Sequence, residues 1–153
     1  MAGLHCYSAR VDLRVSAYAV ITDDAGRMLL PHWHEPGASG GWTLPGGGID
    51  PGEDPVDAVV REVFEETGYT CEVDELLGID NMVIPGERRL SPAKLGIPMQ
   101  ALRIIYRAHL TGGQLRVEED GSTDDVAWFP LTEVDSLHRV SLVDIGRKMA
   151  GLR

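Results

Sequence analysis

The chain has 153 residues, 43% of them apolar, a formal net charge of −10 and two cysteines. That length and apolar content predict one globular domain over residues 1–153, with 1–12 as an extended N-terminal arm. The acidic balance repels nucleic-acid phosphates and so excludes a polymeric nucleic-acid partner, the lack of a long apolar run excludes a membrane span, and Cys6 and Cys71 are too few for a disulfide framework or a zinc site, which predicts a reducing, cytoplasmic setting.

In chain order, Val15 to Thr22 and Arg27 to Leu30 are rich in β-formers and aliphatics and flank Asp23, Asp24 and Gly26, which predicts a β-hairpin. "HWHEPGASGG" reads as loop and "WTLPGG" as a short strand entering a glycine-rich turn. A helix is predicted over Pro55 to Thr67. Asp54 suits its N-cap, proline its first position and Asp57 its positive end, and Gly68 can close it in a left-handed conformation. "CEVDELLGIDNMVIP" and "MQALRIIYRAHL" read as strands on either side of the basic loop "GERRLSPAKLGIP". The second is expected to turn at "TGG" into a further strand "QLRV", and "VAWFPL" is a last short strand. Leu142, Ile145 and Met149 at helical spacing predict a C-terminal helix.

The charge pattern of the first helix is its most informative feature. Glu62, Glu65 and Glu66 stand at i, i+3 and i+4, so their carboxylates share one face, where like charges destabilise a helix unless something positive sits among them. Val56, Val60, Val63 and Thr67 form a stripe roughly 130° away on a helical wheel, the expected core contact, which would leave the carboxylates at the rim of a cleft. A site made only of carboxylate oxygens suits the hard cations Mg²⁺ and Mn²⁺ rather than zinc.

The spacing around these residues resembles the Nudix hydrolase signature, Gly-x5-Glu-x7-Arg-Glu-U-x-Glu-Glu-x-Gly-U with U a bulky apolar residue. Gly47, Glu53, Arg61, Glu62, Val63, Glu65, Glu66 and Gly68 stand at its specified positions, and Tyr69 occupies the last one. The resemblance implies an α/β (α+β) fold, a mixed β-sheet sandwiched between α-helices. It also implies a Mg²⁺-dependent pyrophosphohydrolase, with Mn²⁺ as the alternative ion. The substrate would be a small nucleotide carrying a phosphoanhydride: ADP-ribose, another nucleotide sugar, or a (deoxy)nucleoside triphosphate such as an oxidised one. By position, Glu62, Glu65 and Glu66 would be metal ligands. Arg61 would orient the glutamates and Glu53 would support them, while Gly47 and Gly48 would let the loop turn sharply into the helix. The resemblance also leaves room for a homodimer.

The sequence alone does not choose the proton acceptor. Glu65 and Glu66 are candidates, and so is the downstream stretch "EEDGSTDD", read as a loop holding Glu118, Glu119, Asp120, Asp124 and Asp125, with Asp124 and Asp125 ranked first because they immediately precede "VAWF". Arg88, Arg89 and Lys94 in the basic loop are candidates for a phosphate or ribose, and Trp42, with Trp33 and Tyr18, for stacking on a base. His32 and His34 are weaker substrate contacts. Pro85 lies where ADP-ribose-hydrolysing members of the family tend to carry proline. Two other readings compete with hydrolysis. One is a nucleotide-sensing module without catalysis, which usually has lost motif glutamates or gained another domain. The other is isoprenoid diphosphate isomerisation, for which Cys71 is a poor match to the required catalytic cysteine.

Overall fold

The computed structural model describes residues 10–153. The predicted arm thus lies mostly outside the described residues, as does Cys6, and the first described strand is β1 at Asp12–Ile21. After it come β2 (Arg27–Trp33), β3 (Gly41–Trp42), β4 (Gly46–Gly48), α1 (Pro55–Thr67), β5 (Tyr69–Ile84), β6 (Met99–Gly113), β7 (Thr123–Pro130) and α2 (Ser141–Met149). Two sheets result. One has the order β4-β1-β6-β5, with β1 parallel to β6 and its other pairs antiparallel; the other has the order β3-β2-β7 and is antiparallel throughout.

The predicted hairpin is the first correction. β1 and β2 are joined at the turn by a single bridge, Thr22 to Met28, and then part into different sheets. Their composition explains this. Ala17, Ala19, Val20 and Ile21 of β1 and Met28, Leu29 and Leu30 of β2 are all buried, so both faces of each strand need cover, as expected for interior rather than half-solvated strands.

The sheets lie between the helices, the mixed α/β sandwich the motif implied. On one side Ala58, Val59 and Val63 of α1 pack with Ala17, Ala19, Ile21, Leu29, Ala108 and Val126. On the other, Leu142 and Val143 of α2 pack with Val20, Met28, Leu30, Leu44 and Ile105. Helix α1 has the expected bounds: the Asp54 carboxylate accepts from Val56 N, and Gly68 adopts φ 78°. Its buried arc differs from the predicted stripe. Ala58, Val59, Val63, Glu66 and Thr67 are buried whereas Val56 is exposed, so the core-facing arc is centred close to Glu66 and one of the three acids is interior.

Further along, "QLRV" forms no strand. β6 runs on through Gly113, pairing with Tyr69, and the segment after it docks on the end of α1 through Arg116 N donating to Thr67 O at 2.9 Å. Asp124 and Asp125 lie within β7 rather than in a loop before it. Among the described residues no helix is long and apolar enough to cross a membrane.

Candidate active site

Arg61 sets a positive charge beside two of the three glutamates. Its Nε and Nη2 donate to the two oxygens of Glu53 at 2.8 and 2.9 Å, its Nη1 to Glu62 at 3.0 Å and Glu65 at 3.1 Å, and Nη2 also to the Gly48 carbonyl at 3.1 Å. One guanidinium therefore binds the turn before α1, the face of α1 and the edge strand β4, using the fork geometry that lysine lacks. Glu53 is held further by the Asp50 N–H at 2.9 Å, and the Arg61 hydrogen bonds, followed by that amide, pull its carboxyl down to about 2.

Glu66 is placed differently. It is 7% exposed, accepts from Gly46 N at 2.9 Å, and lies alongside Thr123 of β7. Burial holds its carboxyl well above the usual range, and the nearby charges of Glu62 and Glu118 add to the shift against the Gly46 bond. Burial likewise raises Glu62, opposed by Arg61 and reinforced by Glu65 and Glu118. The expectation that all three acids rim a cleft thus holds for Glu65, whose side chain is 45% exposed, and fails for Glu66.

The glycines divide their work in a way the sequence reading had not assigned. Gly47 and Gly48, expected to make the turn, are extended residues of β4 paired with Ala17 and Ser16. Gly47 leaves space for an acid, since a Cβ there would lie 2.8 Å from the Glu62 carboxyl carbon. The conformationally demanding residue is Gly46, at φ 145°, where a Cβ would collide with Ala17 O and sit 2.6 Å from Tyr18 Cα. Gly68 serves as predicted, and a Cβ there would strike the Gln114 carbonyl.

Other candidates are redistributed. Glu118, ranked below Asp124 and Asp125, is the downstream acid whose charge acts on Glu62 and Glu66. It lines an open cleft of about 280 Å³ with Phe64, Glu65, Arg116, Val117 and Glu119. The carboxylate of Glu118 folds over Gly121, where any side chain would collide with it. Asp124 instead meets His32, Oδ1 to Nδ1 at 2.6 Å, at the point where the β2–β7 register slips after His32. Those two residues, Asp125 and Trp42 line a second open cleft of about 400 Å³ that shares no residue with the first. Trp42 is edge-on to both His32 and Phe129, with centroids 5.1 and 4.6 Å apart. The slip and the His32 contact depend on pairing between strands distant in sequence, which no local pattern signals.

Arg89 is committed elsewhere. Its Nη1 donates to Ile97 O at 2.9 Å and to Asp12 at 3.3 Å, and Lys94 reaches the same Asp12 carboxylate at 3.1 Å, so these cations fasten the β5–β6 loop to β1. Arg88 is exposed in the 3-10 turn Gly86–Arg88 and has no ion pair among the described residues. Cys71 is 5% exposed and burial pushes its thiol up to about 11, the environment of an inert core cysteine.

The donor set suits a divalent ion by its chemistry rather than by a preformed cluster. Among the described residues no three or more His, Cys, Asp or Glu are already gathered in metal-binding geometry, and Arg61 bridges Glu62 and Glu65. The chemistry nonetheless fits: the available donors are carboxylate oxygens alone, burial holds the Glu62 and Glu66 carboxyls above their ordinary range, and Glu65 opens onto a cleft.

Comparison with known proteins agrees with this geometry. Residues 12–148 match the NUDIX domain. The 8-oxo-dGDP phosphatase NUDT18 of Homo sapiens is 33% identical over 141 residues, which are 86% of this chain and 39% of that protein, and a MutT-like protein of Streptomyces ambofaciens is 31% identical over 120 residues, 78% of this chain and 66% of that one. A NUDIX hydrolase from Nitrosomonas europaea superposes with a TM-score of 0.72 at 27% identity, covering 93% of this chain and 92% of that one. The chain thus spans about two fifths of the human relative's length. With the signature running from Gly47 of β4 through α1 to Tyr69 at the start of β5, its arginine and glutamates gathered as described, and a domain match over residues 12–148, the chain belongs to the NUDIX family of hydrolases.

Proposed function

We propose that the protein is a Mg²⁺-dependent pyrophosphohydrolase of a small purine nucleotide, with an oxidised guanine nucleoside di- or triphosphate as its preferred substrate class. The observation that carries the reading is the pairing of an acidic cluster on α1 with a separate aromatic and carboxylate-lined cleft. In this reading Glu62, Glu65 and Glu66 hold Mg²⁺, with Mn²⁺ as a substitute. When bound, such a cation neutralises the phosphate oxygens and acidifies water. Arg61 keeps Glu62 and Glu65 in place through Glu53 and Gly48 and touches no reacting atom. Glu118, whose charge acts on Glu62 and Glu66, takes the proton of the attacking water.

The second cleft receives the base. Asp124 and Asp125 present acceptors to N–H groups such as those on the edge of guanine, Trp42 supplies an aromatic wall, and the His32 contact sets the Asp124 carboxylate. These two acids therefore move from catalysis to recognition. The name of the human relative, an 8-oxo-dGDP phosphatase, supports the same choice. The basic loop argues against a long nucleotide sugar, because Arg89 and Lys94 are engaged with Asp12.

A phosphate-release screen with Mg²⁺ or excess chelator tests this, using ordinary and oxidised guanine nucleoside di- and triphosphates, ADP-ribose and nucleotide sugars. The expected result is chelator-sensitive turnover that favours the oxidised guanine nucleotides. Preference for ADP-ribose would overturn the base assignment, and nucleotide binding without turnover would overturn hydrolysis.

A further inference from the structure

Arg61 has no donor left for a ligand. A guanidinium carries five N–H groups, and those of Arg61 make two hydrogen bonds to Glu53 and one each to Glu62, Glu65 and the Gly48 carbonyl. The cleft beside it holds a second arginine. Arg116 lines that cleft with Phe64, Glu65, Val117, Glu118 and Glu119, the one cation among three carboxylates.

Among the described residues the exposed Arg116 side chain makes no ion pair and no hydrogen bond. Acids are not lacking, but two of the three are turned to other neighbours: Glu65 accepts from Arg61, and the Glu118 carboxylate folds over Gly121. Arg116 is held by other means. Its backbone N–H donates to Thr67 O at 2.9 Å at the end of α1, and its guanidinium carbon lies over the Phe64 ring, 5.6 Å from the centroid. An aromatic face attracts the cation without accepting its N–H donors in conventional hydrogen bonds, so the fork is positioned and still free for an anion.

We propose that Arg116 binds the terminal phosphate of the substrate's phosphoanhydride chain and thereby selects nucleoside di- and triphosphates over monophosphates. The inference rests on reading this cleft as the place where the phosphates meet the acids of α1. Phosphate chemistry fits both kinds of group there. Oxygens at one end of the chain share the cation held by the glutamates, and the terminal phosphate offers two oxygens to the planar guanidinium fork. A nucleoside monophosphate has only one phosphate, so it gains the first interaction without the second.

Isothermal titration calorimetry in Mg²⁺ is the test, with α,β-methylene guanosine diphosphate, guanosine monophosphate and inorganic pyrophosphate as the probes. It reads binding whether or not the chain turns nucleotide over. The wild-type chain should bind the methylene diphosphate more tightly than the monophosphate. Arg116→Ala should raise Kd for the methylene diphosphate and for pyrophosphate by about 10–100-fold, the range of a charge-assisted hydrogen bond, and leave Kd for the monophosphate unchanged. Alanine keeps the N–H donated to Thr67, so an unchanged far-UV circular dichroism spectrum is expected. Arg116→Lys, a point charge without the fork, should recover part of the loss. An unchanged Kd for the methylene diphosphate in folded Arg116→Ala would overturn the proposal. So would equal losses for mono- and diphosphate, the mark of a general charge effect in an acidic cleft, or a wild-type chain that binds the two alike. Binding that depends on Arg116 in a chain without turnover would overturn hydrolysis and uphold this contact.

Discussion

Replacing Glu66 by glutamine and, separately, by alanine distinguishes its structural from its catalytic work. Glu66 is 7% exposed and accepts the Gly46 amide at 2.9 Å. Alanine removes that acceptor and leaves the amide buried without a partner, at about 1–3 kcal/mol. It also deletes buried side chain worth about 0.8 kcal/mol per methylene, before any cavity term. The combined cost is about 2–4 kcal/mol, which for a chain of this size lowers Tm by roughly 5–12 °C. Glutamine retains a carbonyl oxygen for Gly46 and keeps its place alongside Thr123, so the expected loss is under about 1 kcal/mol. Thermal melts in excess chelator read this difference, and turnover with Mg²⁺ reads the other role. Both variants should lose activity by about 10²–10³-fold, the scale of removing one electrostatic contact to the transition state. Equal melting of the two variants would refute the Gly46 anchor, and native turnover by Glu66→Gln would remove Glu66 from the metal-holding set.

Three more outcomes follow from the same geometry. Gly46→Ala places a Cβ against the backbone of β1 at a strained φ and should prevent soluble folding, whereas Gly47→Ala meets the movable end of Glu62 and should keep Tm within a few degrees while lowering kcat; equal Tm values in the two variants would contradict the close approach of Gly46 to β1. Arg61→Lys cannot grip Glu53 at two points while reaching Glu62, Glu65 and Gly48, so kcat should fall about 10²-fold through misplacement with KM little changed, and a purely raised KM would show that Arg61 binds substrate instead. Cys71, with its thiol raised to about 11 by burial, stays protonated from pH 7 to about 10, so a thiol reagent should label it only on unfolding; rapid labelling of the native chain at pH 8, shown by peptide mapping to fall on Cys71, would contradict its core placement.

The limits of α1 were legible in the sequence because they are local. A cap, a helix-starting proline and a left-handed glycine act within one turn, so Asp54, Pro55 and Gly68 specify both ends without help from the rest of the fold. The grouping of Glu62, Glu65 and Glu66 followed from helical periodicity, and the arginine among them from its place in the signature. The neighbours of those acids were not legible, because they arrive from distant strands. Gly46 and Thr123 close over Glu66 from β4 and β7, which is why an acid expected at a rim lies inside. The β2–β7 register slip turned Asp124 toward His32, and the docking of the segment after β6 on the end of α1 brought Glu118 toward the cluster. Sheet assignment followed the same division. Aliphatic runs mark β1 and β2 as strands, but only the choice of partners, made by burying both faces of each, sends them into different sheets. The sequence by itself determined which residues can bear charge and how a helix presents them; the tertiary structure decided which of those charges lose their water, because burial is set by elements far away along the chain.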